Sequence, residues 1–202
     1  MGLLRQLHGK AHDKAVFGRR IEVLARTLAD FIPEKARVLD IGCGSGTLAT
    51  AIMKLRPDIT IEGIDVLVRP NTDIPVTEYD GENIPWPDDH FDVALFVDVL
   101  HHTEAPARLL AEANRVSKRG IIIKDHFREG AFAEVTLRFM DWVGNAQHGV
   151  ALPYNYLSDP EWRGIWSKLD LNVERIVDRV GLYPAPFSWL FDRRLHFVAR
   201  LS

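Results

Sequence analysis

Val38-Leu39-Asp40-Ile41-Gly42-Cys43-Gly44-Ser45-Gly46 decides how this chain is read. An apolar run that reads as a buried strand leads straight into three alternating glycines, and residues 46–55 then read as a helix. Glycine admits positive φ and lets a ligand approach the backbone. The first turn of the helix beyond it presents N–H groups with no intrahelical partner. A strand, a glycine turn and a helix in that order suit a nucleotide-type ligand at the carboxyl end of the strand. Gly44-Ser45-Gly46-Thr47-Leu48-Ala49 also satisfies the dinucleotide pattern G-x-G-x-x-A, so the loop alone leaves two ligand classes open.

Asp40 tilts the choice. A carboxylate beside the loop repels a pyrophosphate and attracts a positively charged donor, such as the ammonium and sulfonium of S-adenosylmethionine. That molecule has no phosphate, and its own carboxylate is expected to take the loop N–H groups.

Outward from the loop, helix and strand patterns alternate. Residues 14–31 place Val16, Ile21, Leu24, Ala25, Leu28 and Phe31 at helical spacing, and Pro33 ends the run. Residues 59–65, 75–80, 91–97 and 120–125 read as strands, with 91–97 nearly all apolar, and 104–116 as a helix. This alternation implies right-handed βαβ crossovers and a mostly parallel sheet. Beyond Asp125 come a helix over 130–143, a long loop over 144–160, a short helix over 160–168 and two closing strands over 172–181 and 194–201. A Pro- and aromatic-rich turn, 183–189, joins the last two.

Length and composition restrict the function classes. A chain of 202 residues fits one domain with a substantial core, and 47% hydrophobic with 26% charged residues is ordinary for a globular protein. The net charge of -3 gives no basic surface for nucleic acid or membrane, so neither is expected as a partner. The single cysteine, Cys43, excludes an intramolecular disulfide and reads as a small filler. The N-terminus is too polar for a signal peptide and no run approaches a membrane span. A cytoplasmic chain is expected; its oligomeric state is not legible.

Further motifs stand in order. IEGID ends at Asp65, DGENIPWPDDHFD covers 80–92, and FVDVLHHTEAPARLLAEANRVSKRGIIIKD covers 96–125. With VLDIGCGSG at 38–46, these resemble the class I S-adenosylmethionine-dependent methyltransferases of the small-molecule type, over about residues 36–125. One departure is Ser117-Lys118-Arg119-Gly120, where the family has Pro-Gly-Gly. The resemblance implies a Rossmann-like three-layer α/β sandwich with a mostly parallel seven-stranded sheet and an antiparallel closing strand. It implies S-adenosyl-L-methionine as cofactor and S-adenosyl-L-homocysteine as product. Asp40, Gly42, Gly44 and Gly46 would line the methionine part, Asp65 would take the ribose hydroxyls, and Asp80 and Gly81 would meet the adenine. Trp86 is expected as a plug beside the adenine.

Methyl transfer from a sulfonium is an in-line displacement, so positioning supplies much of the rate. A base is needed only where the acceptor loses a proton. Asp98, His101, His102, Asp125 and His126 fall at the carboxyl ends of the fourth and fifth strands, where such acceptors bind. Asp125-His126 is read as orienter and base, with His102 as a further candidate, against the plainer reading of a capping Asp and structural His. MDWVGNAQHGVALPYNY (140–156) is too long and too rich in polar aromatics for an idle connector. Asp141, Asn145, His148, Tyr154 and Asn155 are its candidate substrate-binding residues; a packed Ω-loop is the alternative.

The chain is thus expected to be a single methyltransferase domain over 1–202, with an N-terminal cover at 1–18 and a lid or substrate-binding insertion at 127–170. No metal ligand set is assigned. The expected function is methyl transfer to the oxygen, carbon or nitrogen of a small molecule. An NAD-dependent oxidoreductase and a non-catalytic S-adenosylmethionine-binding module are the rivals.

Overall fold

The computed structural model describes residues 18–145, 154–192 and 194–202. The elements run in the order α1 (18–29), β1 (Arg37–Ile41), α2 (Thr47–Leu55), β2 (Thr60–Asp65), β3 (Val76–Glu78) and β4 (Val93–Val97). A 3-10 turn (Leu100–His102) follows, then α3 (Pro106–Val116), β5 (Ile121–His126), α4 (Ala133–Asn145), α5 (Asp159–Lys168), β6 (Val173–Val177), α6 (Ser188–Phe191) and β7 (His196–Leu201). The seven strands form one sheet in the order β3-β2-β1-β4-β5-β7-β6. The pairings among β1 to β5 are parallel, and β7 enters antiparallel between β5 and β6. This is the expected α/β sandwich.

Strand alternation builds the three layers. Along β4, Val93 and Leu95 point into the layer of α1 and α2, with Leu24, Leu28, Ala49 and Ile52. Ala94 and Phe96 point the other way, toward Leu110 and Ala113 of α3 and Trp162 and Trp166 of α5. Side chains two apart on a strand share a face, so an apolar run buried on both sides serves two helical layers at once.

Several sequence-based boundaries move. The strand expected over 75–80 keeps only Val76–Glu78, and that over 172–181 stops at Val177. Both are sheet edges, with one neighbour to pair with. On α3, Ala107 and Ala111 face solvent, and burial falls to Pro106, Leu109, Leu110, Ala113 and Val116.

The insertion expected over 127–170 divides in two. Its first part, α4, reaches the cleft described below. Its second part, α5, is a core helix: Trp162 and Trp166 stack on each other and meet Phe197 edge-on. Ser158 and Glu161 form a capping box at its start. Trp162 also donates its indole N–H to the His126 carbonyl at 3.0 Å, tying the core to the end of β5. Truncating Trp162 to Ala is expected to cost about 3–5 kcal/mol in urea unfolding. Trp162→Phe keeps most of the packing and loses about 1 kcal/mol for the hydrogen bond. A loss under about 1 kcal/mol in the Ala variant would contradict this packing.

Candidate functional site

The glycine turn is held by its neighbours. Gly42 (φ 72°) and Gly46 (φ 79°) lie in the left-handed region. A Cβ at Gly42 would stand 2.6 Å from Val99 Cγ2, and one at Gly46 2.4 Å from Ile74 Cγ1. Neither position has room for a side chain. The N–H of Gly42 donates to the Ile64 carbonyl at 2.8 Å, and Asp65 Oδ2 accepts the Gly44 N–H at 2.8 Å. Asp65 Oδ1 accepts the Leu67 N–H at 3.0 Å. One loop N–H expected to meet a ligand is therefore already given to Asp65.

Two clefts open on either side of Gly42, at the carboxyl ends of the parallel strands. The first, about 400 Å³, is lined by Gly42, Asp65, Tyr79, Gly81, Glu82, His102 and others. The second, about 430 Å³, is bounded by Asp40, Gly42 and Gly44 on one side, and by Asp98, His101, His102, His126 and Asp141 on the other. Arg20, Ile21 and Leu24 of α1 and Met140 of α4 complete its walls. Gly42 and His102 belong to both.

Asp40 is buried (4% exposed) on the second cleft. Burial, with Asp65 adding to it, lifts its carboxyl to about 7. Cys43, half-buried beside it, is pushed up to about 12, first by burial and then by Asp40.

Asp80 does not line either cleft among the described residues. Its Oδ1 accepts the N–H groups of Glu82 and Asn83 at 2.8 and 2.7 Å, and its Oδ2 accepts the Asn83 amide at 2.6 Å. These bonds hold the carboxylate down at about 2 and turn the chain so that Gly81 and Glu82 face the first cleft. Trp86 likewise misses the clefts: it packs edge-on against Phe91 and beside His90, while Arg115 donates to its backbone carbonyl at 2.8 Å.

The far wall is a network of buried charge. Lys124, fully buried in β5, pairs with Asp98, and Arg20 pairs with the same carboxylate. Burial alone would raise Asp98, but Lys124 and then Arg20 outweigh it and hold the carboxyl well below the usual range. Asp98 carries a left-handed backbone (φ 58°), which turns the chain out of β4. Asp125 is also fully buried. It accepts the N–H groups of Leu100 at 3.0 Å and His126 at 2.8 Å, and faces His101 Nδ1 at 2.7 Å and His126 Nδ1 at 3.2 Å. Burial works against a charged His101, but Asp125 overrides it and lifts the imidazole to about 10. His126 is lowered to about 4 by burial and then by Lys124. His102 is lowered, first by burial and then by its neighbour His101.

Of the expected substrate residues, Asp141 is on the cleft. Its Oδ2 accepts the Tyr156 hydroxyl at 2.9 Å, and its Oδ1 stands 3.6 Å from Nε2 of both His101 and His102. Asn155 braces the histidine turn, donating its N–H to the His101 carbonyl at 3.1 Å and its amide to that of Thr103 at 3.0 Å. Tyr154 carries the Arg138 guanidinium over its ring at 5.0 Å. Neither residue lines the cleft, because each is committed to a neighbouring segment. His148 and the N-terminal cover as far as residue 17 lie outside the described residues, as does the side chain of Asn145.

Sequence reasoning did not single out Arg20, Lys124, Arg69 or His196. Lys124 carried a signal: one charge in the apolar run GIIIKD, on a strand buried on both faces. Arg20 carried none, since an arginine on an amphipathic helix reads as surface.

A family model for a methyltransferase domain matches residues 12–176. The chain belongs to the class I methyltransferase family. It is 29% identical over 142 residues to the ubiquinone/menaquinone biosynthesis C-methyltransferase UbiE of Cupriavidus necator, covering 61% of this chain and 58% of that one. The chain thus spans a little over half the length of that relative. Among solved structures it resembles the candidate methyltransferase in a Haloferax volcanii complex with the Trm112 methyltransferase activator (TM-score 0.68, 18% identity, 96% of this chain and 93% of that). It also resembles the Burkholderia thailandensis 1,6-didemethyltoxoflavin-N1-methyltransferase, solved with 1,6-didemethyltoxoflavin and S-adenosylhomocysteine (0.63, 16%, 98% and 84%). At such identities these two share the fold. No helix among the described residues is long and apolar enough to cross a membrane.

The lifted Asp40 carboxyl has a thermodynamic consequence. Its folded value, about 7, lies above its unfolded value near 4, so no charge is buried while it is protonated. Stability is lost as pH rises from the lower value toward the upper. Asp40→Asn is therefore expected to match the parent near pH ~4 and to exceed it by up to about 4 kcal/mol above pH ~7. Denaturant titrations of both proteins across that range check it; a constant difference would contradict it.

Proposed function

We propose that this chain is an S-adenosylmethionine-dependent methyltransferase acting on a small-molecule acceptor in the cytoplasm. The observation that carries the reading is the pair of clefts meeting at Gly42, one beside Asp65 and Gly81, the other beside Asp40 and the buried histidines. A nucleoside in the first would put a sulfonium methyl at the junction, aimed into the second. In this assignment Asp65 takes the ribose, Gly81 the adenine ring with Asp80 shaping its turn, and Asp40 with Gly42, Gly44 and Gly46 the methionine end. The low-dielectric setting of Asp40 favours a cation over a pyrophosphate, which weighs against the NAD reading. The family match and the small-molecule methyltransferases among its relatives support the acceptor class. The lone cysteine suits a reducing compartment.

In the reaction, a lone pair on the acceptor attacks the methyl carbon. The carbon–sulfur bond breaks with its electrons going to sulfur, leaving neutral S-adenosylhomocysteine. Where the acceptor atom carries a proton, His126, kept neutral by burial and Lys124, takes it once the new bond makes that atom cationic. Asp125 orients that ring through its Nδ1 face, and the imidazolium that forms lies 3.7 Å from Asp98 Oδ1. His102 lines the junction of the two clefts and positions the acceptor with Asp141.

Two variants separate the roles. Asp65→Ala is expected to weaken calorimetric binding of S-adenosylhomocysteine by about tenfold or more, from loss of a charged hydrogen bond worth about 1.5–3 kcal/mol. His126→Ala is expected to leave that binding within about twofold while lowering turnover about 100-fold in a radiolabelled methyl-transfer assay on oxygen, carbon and nitrogen acceptors. Full turnover by His126→Ala would remove it as base. Intact cofactor binding with no turnover of any acceptor by the parent would favour a non-catalytic binding module.

A further inference from the structure

The sequence reading assigned no metal, yet the fold brings three ligating atoms from two distant segments to one point. His101, His102 and Asp141 each offer a ligating atom within 4.8 Å of the others, and Asp141 Oδ1 stands 3.6 Å from Nε2 of both rings. That spacing is too long for a hydrogen bond, whose usual range ends at about 3.2 Å. It is close to what one ion imposes: two ligands bound tetrahedrally at about 2.0–2.1 Å sit about 3.3 Å apart. His101 Nε2 is fully buried with no hydrogen-bond partner among the described residues, and it is aimed at this gap.

We propose that His101, His102 and Asp141 bind a divalent first-row transition ion at the wall of the acceptor cleft. The supporting contacts are those that metal ligands require. Asp125 faces His101 Nδ1 at 2.7 Å, which keeps a proton on that side, so an ion binding at Nε2 displaces only the second ring proton. Tyr156 donates to Asp141 Oδ2 at 2.9 Å, leaving Oδ1 toward the histidines. Two imidazoles and one carboxylate select a transition ion over Mg²⁺ or Ca²⁺, which prefer oxygen ligands throughout. A second grouping, His101, Asp125 and His126, also has ligating atoms close together. It leaves no gap, because Asp125 already takes two backbone N–H groups and both ring Nδ1 atoms at hydrogen-bond distance.

All three proposed ligands line the cleft, so the remaining coordination positions face the acceptor. This selects acceptors with an oxygen able to bind the ion, such as a phenol, an enol or an adjacent diol. Binding lowers the pKa of that oxygen and fixes its lone pair beside the methyl donor. The catalytic role rests on the methyl-transfer reading; the ion site does not, and its test uses neither cofactor nor acceptor.

The test titrates the full chain, stripped by a chelator, with Zn²⁺ by competition calorimetry and with Co²⁺ by its visible ligand-field bands. One equivalent is expected to bind saturably, with Co²⁺ bands of a nitrogen- and oxygen-ligated centre. His102→Ala and Asp141→Asn are each expected to weaken binding about 100-fold or more, and Tyr156→Phe about tenfold. His90→Ala, outside the cleft, is expected to bind as the parent does. Thermal melts followed by circular dichroism establish which variants are folded. No saturable binding by the parent, or parental binding in the folded His102 and Asp141 variants, overturns the site and leaves a proton on His101 as the occupant of the gap.

Discussion

The hydrogen bond from the Gly44 N–H to Asp65 is the contact on which the site depends. It joins the turn after β1 to the end of β2, while Gly42 packs against Val99 beyond the end of β4. Three strand ends are thereby held to one glycine turn. The turn is passable only without side chains at Gly42 and Gly46, and the two clefts exist because it stays narrow. A parallel sheet with helices on both faces leaves its carboxyl ends open to solvent, and the turn divides that opening into a nucleoside side and an acceptor side.

The acceptor side is built from charge that a core would normally exclude. Lys124 and Asp125 sit next to each other on β5, and strand alternation sends them to opposite faces. Lys124 meets Asp98, which Arg20 of α1 also pairs with, and Asp125 meets His101 and His126. Each buried charge has a partner, as burial in a low dielectric requires. The cost of this arrangement is structural commitment. Few of these groups move without leaving another unpaired, so the histidine rings are presented to the cleft in fixed orientations. Such preorganisation suits a displacement in which alignment counts for more than proton transfer.

The central sheet was legible because its signals are local. An apolar run, a glycine turn and a helix at 38–55, the βα alternation that follows, and the closing strands all lie in the structure within a few residues of where periodicity puts them. The class of ligand was legible from Asp40 and from motifs in order. What the sequence concealed is long-range. Arg20 reaches Asp98 across 78 positions, and Asp141 meets the His101-His102 pair from 39 and 40 positions away, so no spacing rule links them. Asp80 is engaged locally: its side chain accepts N–H groups two and three residues on, a common habit of aspartate in turns, and so shapes the chain at Gly81. Asn155 and Tyr154 stand out by residue type, yet their hydrogen bonds and ring contacts brace the cleft wall from neighbouring segments.

The electron density of a crystal soaked in S-adenosylhomocysteine tests the whole account most directly. The purine and ribose should lie between Asp65 and Gly81, and the sulfur should sit over Gly42, between Asp40 and the His101-His102 pair. Density for the ligand elsewhere, or none under conditions where a dinucleotide fills the same clefts, would contradict the assignment.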